Sequence, residues 1–173
     1  MYENQLSLRN AGSDELDRVS LLIRDANEQY RRLLPPEAWK FYVNDMMNVR
    51  ARINESELIL AELDGQLVGT VTLYLNVGNA SMQWLPKGWA GVRLLAVHPA
   101  YRRRGIGLAL MEECVSRCRH RSISTIGLHT TEMMEFARLM YEKMRFVRVP
   151  EYDFYPRPGV IVMAYRLDLK TLT

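Results

Sequence analysis

Cysteine is nearly absent from this chain. Only Cys114 and Cys118 occur, four apart in a predicted helix. A disulfide framework in a small secreted protein shows more cysteines than that, so both thiols are expected to stay reduced. Histidine is as scarce: His98, His120 and His129 form no HxxxH or CxxC pattern with the cysteines, and no metal site is expected. No apolar run approaches the roughly 20 residues of a membrane span. The opening MYENQLSLRN has neither the basic n-region nor the apolar h-region of a secretory signal. These absences lead to the expectation of a cytoplasmic protein with no membrane partner. A surplus of one charge is missing as well. The formal net charge of +3 permits an anionic ligand but falls short of what a nucleic-acid-binding domain carries, so no nucleic-acid partner is expected. No repeat, low-complexity segment or linker-like run marks a boundary, and a single domain over residues 1–173 is expected.

What is present is an ordinary globular composition, 48% hydrophobic and 25% charged, on a chain long enough to bury a core without staples. QLSLR (5–9) reads as a first strand, followed by Ser13 or Asp14 as N-cap and a helix to about Tyr30. Pro36 opens a second helix that runs to about Arg50. Two β-prone runs, 57–63 and 66–75, flank Asp64-Gly65, a pair suited to a two-residue hairpin turn. After a loop over 76–89, AGVRLLAV reads as a strand buried on both faces. A helix from about Gly105 to Arg119, the strand STIGLHT, a helix over EMMEFARLMYEKM, and the strands FVRVP and VIVMAYRLDL complete the chain. The order β-α-α-β-β-β-α-β-α-β-β is that of a mixed α/β sheet with helices on its faces.

The densest chemistry lies in VRLLAVHPAYRRRGIGLALMEEC, residues 92–114. Strand, glycine-containing turn and helix together present unsatisfied backbone N–H groups and the positive end of a helix dipole to an anion. Gly105 and Gly107 would let the backbone approach closely, and Arg102, Arg103 and Arg104 could add side-chain charge. The spacing is not a dinucleotide fingerprint, because Gly107 is followed by LAL where a third glycine belongs. No Gly-Lys-Ser/Thr is present for a P-loop. On spacing alone a solvated basic turn, or a small nucleic-acid or nuclear-localisation patch, stays open.

LLAVHPAYRRRGIGLALM resembles the acetyl-CoA signature of the GNAT superfamily of N-acetyltransferases, (Arg or Gln)-x-x-Gly-x-(Gly or Ala), with Arg102, Gly105 and Gly107 at its positions. LAVHPAY before it, ARLMYEKMRF after it and the element order agree, so the resemblance covers about residues 5–169. It implies a GNAT-like acyl-CoA N-acyltransferase fold and transfer of the acetyl group of acetyl-CoA to a primary amine. The amides of Arg103, Arg104, Gly105, Ile106, Gly107 and Leu108 would bind the pyrophosphate. The strand edge at Leu95, Ala96 and Val97 would pair with the pantetheine arm, and an amide there would polarise the thioester carbonyl. Tyr141 falls where relatives keep a tyrosine that protonates the leaving thiolate, a role that suits a phenol still protonated at neutral pH. Without the resemblance Tyr141 reads as a core aromatic. A homodimer is a further expectation the resemblance carries.

Three positions depart from that pattern. Met134 stands at the cofactor-contacting position where an asparagine is common, Arg145 replaces the usual glycine and suggests a different helix ending, and Gly91, Val92 and Arg93 offer no counterpart to a frequent glutamate base. An ammonium substrate must lose a proton before it can attack, and His129 and Asp153 are the candidates to accept it. Tyr30, Trp39, Trp84, Trp89, Tyr152, Phe154 and Tyr155, with Glu151 or Asp153, could form an aromatic wall for a cationic amine. The alternative to an enzyme is a non-catalytic acyl-CoA-binding or regulatory module.

Overall fold

Asp64 and Gly65 both stand at positive φ, 51° and 77°, and fold the chain back on itself between Glu57–Leu63 (β2) and Gln66–Tyr74 (β3). This is the turn the Asp-Gly pair predicts. Leu6–Asn10 (β1) lies antiparallel on β2, from Leu6 opposite Leu63 to Asn10 opposite Ile59. The computed structural model describes residues 5–79, 82 and 84–170, so residues 80, 81 and 83 of the expected 76–89 loop lie outside the described residues. The chain divides into two compact units, one running through Thr72 with Leu94–Glu113, the other comprising Leu73–Arg93 with the chain from Cys114 onward.

In the first unit, Leu16–Asn27 (α1), Pro36–Met47 (α2) and Val49–Arg52 (α3) accompany β1, β2 and most of β3. α1 presents Leu16, Val19, Ile23 and Ala26 to a core shared with Met46, Val49, Leu58, Leu60 and Ala96. These positions recur at three and four residues along α1, which is why one helix face is apolar. Its N-cap is Glu15 and not Ser13 or Asp14. The Glu15 carboxylate accepts from Gly12 N at 2.7 Å and is bound by both terminal nitrogens of Arg9 at 2.6 and 2.7 Å, while Arg9 also reaches Glu62. The C-terminal end of α2 is closed by the buried Arg52, whose guanidinium donates to Asp45 O and Met46 O, each at 2.7 Å.

The second unit is built around Thr125–Thr130 (β5). Ala90–Val97 (β4) pairs with it in parallel from Ala90 opposite Ile126 to Val92 opposite Leu128, and Val160–Asp168 (β8) lies antiparallel on it over its whole length. Ile106–His120 (α4) makes the return connection that a parallel pair requires. Glu135–Lys143 (α5) begins later than the expected Glu132, because Met134 (φ −94°, ψ 50°) is not helical and no side chain caps it. The closing segment also differs from expectation. Val147–Arg148 (β6) is only two residues long, and the stretch between the two expected closing strands holds an extra strand, Phe154–Arg157 (β7), hairpinned onto β8. Pro156 argues against a strand from sequence, yet proline is tolerated in a short, irregularly paired edge strand such as this. Tyr74, Val77, Met82, Leu85, Val149 and Ala164 form this unit's core with Trp89 and Tyr152 against it. The eight strands make a mixed sheet, as the element order predicts.

Candidate active site

The arginine turn hangs from the end of β4. His98 N donates to Val68 O of β3 at 2.8 Å, and His98 Nδ1 accepts from Ala100 N at 3.2 Å, starting a short 3-10 turn over Pro99–Tyr101. Next the backbone alternates in hand: Arg102 has φ −64°, Arg103 +62° and Gly105 +75°, with Arg104 in the ordinary negative range. Alternation of this kind turns successive N–H groups toward one side and makes an anion-binding concavity. The 15-residue helix α4 starts directly after it, at Ile106, so its unsatisfied N-terminal amides adjoin the turn. A Cβ built on Gly105 would meet nothing within 4 Å, so the space in front of the turn is open. α4 can sit this close to β3 because Gly69 has no side chain: a Cβ there would come within 2.9 Å of Ile106 Cγ2.

The three arginines have different surroundings. Arg102 turns inward and donates to Ala26 O at 2.7 Å and Gln29 Oε1 at 3.1 Å, tying the turn to the end of α1. Arg104 lies over the Tyr101 ring, 5.3 Å from its centroid, and lines a hollow of about 520 Å³ with Leu6, Leu63 and Ile106. Arg103 is exposed and has no side-chain partner among the described residues. Leu95 and Val97 are half-buried, while the Ala96 side chain belongs to the core. Leu94, just before them, has φ +54° within β4, beyond the residues of that strand that pair with β5. Of the other residues of the turn, Ile106 is buried and Leu108 exposed.

In the second unit the structure brings His129 and Asp153 together. His129 Nε2 lies 2.9 Å from Tyr152 O; a carbonyl only accepts, so Nε2 carries the hydrogen and Nδ1 presents the lone pair. Burial holds the imidazole below the ordinary value of 6.5, against a smaller opposing pull from the Tyr152 bond and from Asp153. Asp153 is otherwise engaged. Its two oxygens take a bidentate bond from Arg148 at 2.7 Å each, and Oδ1 also accepts Ala164 N at 2.7 Å. The Arg148 bonds, more than any other influence, hold its carboxyl below the usual carboxylate range. Trp84 stacks on Phe154 with centroids 4.9 Å apart, and Phe154 meets the edge of His129 at 5.0 Å. Trp89 packs edge-on against Tyr152. Of the expected aromatic residues, Trp84 and Phe154 therefore adjoin His129 on this side and Trp89 packs with Tyr152, whereas Trp39 packs with Tyr42 in the other unit's core.

Tyr141 is 6% exposed, with Phe146 beside it. Arg145 N donates to Glu142 O and Phe146 N to Tyr141 O, with Arg145 at φ 71°. The helix thus ends in the left-handed fashion a glycine would give, so the different ending expected from Arg145 does not occur. Met134 is half-buried at the start of α5. Gly91, where a base could otherwise be sought, has no room for a side chain: a Cβ would come within 2.5 Å of Met82 Sδ.

A strand that ends in an alternating-hand turn and feeds a long helix is the feature by which this site can be compared with others. The sequence model of the acetyltransferase (GNAT) family matches residues 20–146, well over half of the chain. The chain belongs to the GNAT acetyltransferase family. Solved GNAT structures share its fold over nearly the whole length. A GNAT-family acetyltransferase from Staphylococcus aureus Mu50 superposes with a TM-score of 0.72 at 17% identity, covering 95% of this chain and 99% of its own. The PaiA N-acetyltransferase of Thermoplasma acidophilum, solved with coenzyme A, gives 0.71 at 16% identity over 94% and 99%. YncA of Salmonella typhimurium, solved with acetyl-CoA, gives 0.66 at 12% over 96% and 95%. At these identities the likeness is one of fold.

Within the GNAT frame, sequence reasoning missed three features of the site. Arg148, the partner of Asp153, sits in what reads as plain strand. The Trp84–Phe154 stack joins residues 70 apart in the chain. The Thr130 and Thr131 hydroxyls, where β5 ends, are buried with no hydrogen-bond partner among the described residues. The run LHTT offered one signal for the last, since three polar residues in a row follow the apolar Leu128. Among the described residues there is no cluster of three or more His, Cys, Asp or Glu that could hold a metal, and no helix long and apolar enough to cross a membrane.

Proposed function

We propose that this GNAT protein is a single-domain N-acetyltransferase that moves the acetyl group of acetyl-CoA directly to a primary amine of a small molecule, peptide or protein. The observation that carries this reading is the turn from Arg102 to Gly105, whose backbone alternates in hand directly before α4 with open space in front of it. Such a turn fits a pyrophosphate, and the amides of Arg103 to Leu108 are assigned to it, with Arg103 and Arg104 adding charge. Acetyl-CoA supplies the activated acetyl thioester. Leu95, Ala96 and Val97 contribute a strand edge for its arm, and Met134 an apolar contact.

On the acceptor side, an amine near pKa 10 is about one part in a thousand deprotonated at pH 7, so a residue that takes its proton raises the rate. His129 has the form this requires, a neutral imidazole with its lone pair on Nδ1. Asp153, with both oxygens bonded to Arg148, supports that site by fixing the neighbouring backbone and does not itself collect the proton. Tyr141 is assigned the opposite task, releasing its phenolic proton to the thiolate as the new C–N bond forms and the C–S bond breaks. The aromatic surface of Trp84 and Phe154 favours a cationic or flat acceptor. Calorimetric titration with acetyl-CoA, with ATP as control, tests the reading. One site per chain supports it, and no binding at millimolar acetyl-CoA would remove it.

A further inference from the structure

Arg148 carries no step of the proposed reaction, yet its guanidinium is bound on several sides. Nη1 and Nη2 each donate to one Asp153 oxygen at 2.7 Å, Nη1 also donates to Ala164 O at 2.7 Å, and the guanidinium carbon lies 5.4 Å from the centre of the Tyr165 ring. The Asp153 side chain is only 5% exposed. A buried ion pair is often no better for stability than apolar residues of the same volume, so stability alone is a weak reason to keep one. Strand pairing accounts for part of the arrangement. β6 ends at Arg148, opposite Tyr165, so Ala164 is the next position of β8. Val149 N donates to Ala164 O at 3.0 Å, and Asp153 Oδ1 takes the Ala164 N–H at 2.7 Å. An asparagine could accept that N–H with no charge to bury.

The charge pair adjoins His129. Ala164 stands opposite His129 in the β5–β8 pair. Tyr152, next in the chain to Asp153, receives the Nε2 hydrogen at 2.9 Å, with its own N–H on Val149 O and its ring against Trp89. A carboxylate left without its cation here would favour the imidazolium, because a nearby opposite charge stabilises the charged form. An imidazolium cannot accept a proton. Charged residues on the elements beside His129 include Arg93 of β4, Glu151, Arg157 of β7 and Arg166 of β8, but among the described residues Asp153 is the one whose charge acts on it. Arg148 meets that carboxylate with a planar fork and engages both of its oxygens.

We infer that Arg148 is a positioning residue for His129: by fixing Asp153 against Ala164 and neutralising it, Arg148 keeps the imidazole unprotonated and its Nδ1 lone pair open to the acceptor's proton. This rests on the reading of His129 as the base. The sign of the response separates it from a role in folding alone. If the pair only held the fold, losing either member would admit water, and both losses would move His129 toward its ordinary value. If Arg148 acts through the charge of Asp153, the two losses move His129 in opposite directions.

The experiment is a proton NMR titration of the imidazoles in the chain without ligand, for wild type, Arg148→Gln, Asp153→Asn and the double variant. The chain has three histidines, and the signal missing from His129→Asn identifies the one that matters. Arg148→Gln is expected to raise the proton affinity of His129 about three- to tenfold, and Asp153→Asn, which leaves the guanidinium without its anion, to lower it by about as much. The double variant has neither charge and is expected to return to within about twofold of wild type. Removing one member of a buried pair is strongly destabilising. Should Arg148→Gln fail to fold, Asp153→Asn and the double variant carry the test, with a fall in the first and a return in the second. Movement of both single variants in the same direction overturns the inference, and so does an unmoved His129 in Asp153→Asn. Because these titrations contain no acetyl-CoA, the two readings fail separately. A chain that shows the expected order but binds no acetyl-CoA loses the acetyl-transfer reading and keeps the control of His129 by Arg148.

Discussion

Arg102, Arg103 and Arg104 are consecutive and chemically identical, but their surroundings assign them separate work, and alanine substitutions can separate them. Arg102 is the brace. Its guanidinium donates at 2.7 Å to Ala26 O, next to the end of α1 on a residue only 5% exposed, and at 3.1 Å to Gln29 Oε1. Hydrogen bonds from a charged donor contribute about 1.5–3 kcal/mol, and partial exposure of the arginine places the expected loss toward the lower end. Arg102→Ala should therefore cost about 2 kcal/mol, a fall of roughly 4–8 °C in melting temperature for a chain of this size. Arg103→Ala breaks no contact and should stay within about 0.5 kcal/mol of wild type. Its effect should appear in acetyl-CoA affinity, with a loss of about two- to fivefold that shrinks as salt rises, as for an exposed ion pair. Thermal melts and acetyl-CoA titrations at two salt concentrations measure all of this. An Arg102→Ala protein as stable as wild type would refute the brace, and an Arg103→Ala protein that binds normally at low salt would refute the phosphate contact.

Four further outcomes rest on the same structure. Tyr141→Phe should keep acetyl-CoA affinity while turnover falls about 100-fold, the scale of general acid catalysis; unchanged turnover removes Tyr141 from the mechanism. Because burial disfavours the charged His129, the acid limb of kcat/KM should lie below 6.5 and should vanish in His129→Asn; a limb at or above 6.5 contradicts this. The sign for stability is the same: the unfolded chain takes up that proton first, so stability drops as pH falls through 6.5. Arg145→Gly should stabilise the protein by about 1 kcal/mol, since φ 71° suits glycine and not arginine, with chemical denaturation as the measurement and no gain as the refuting result.

Much of the fold was legible because its signals are local. The Asp64-Gly65 turn, the apolar face of α1, Pro36 at the head of α2 and the strand–glycine–helix transition before Ile106 each depend on a few adjacent residues, and backbone sterics or side-chain period decide them wherever they occur. The family signature is local in the same sense, since Arg102, Gly105 and Gly107 lie within six residues. Where local signals conflicted, packing decided. β7 forms despite Pro156 because β8 offers it an edge, and α5 starts late because nothing caps it earlier.

The site's chemistry lay mostly beyond the sequence. From sequence alone Asp153 and His129 were equal candidates for the base, and only the fold gives Arg148 to one and a burying aromatic surface to the other. The partners of the three adjacent arginines were not legible: the fold alone bonds Arg102 to the end of α1 and sets Arg104 over Tyr101. Thr130 and Thr131 look like ordinary strand-end residues, and only the fold shows that their hydroxyls are buried with no partner among the described residues. Proton affinity and hydrogen-bond satisfaction depend on partners brought from distant parts of the chain, and only the folded structure fixes which partners arrive.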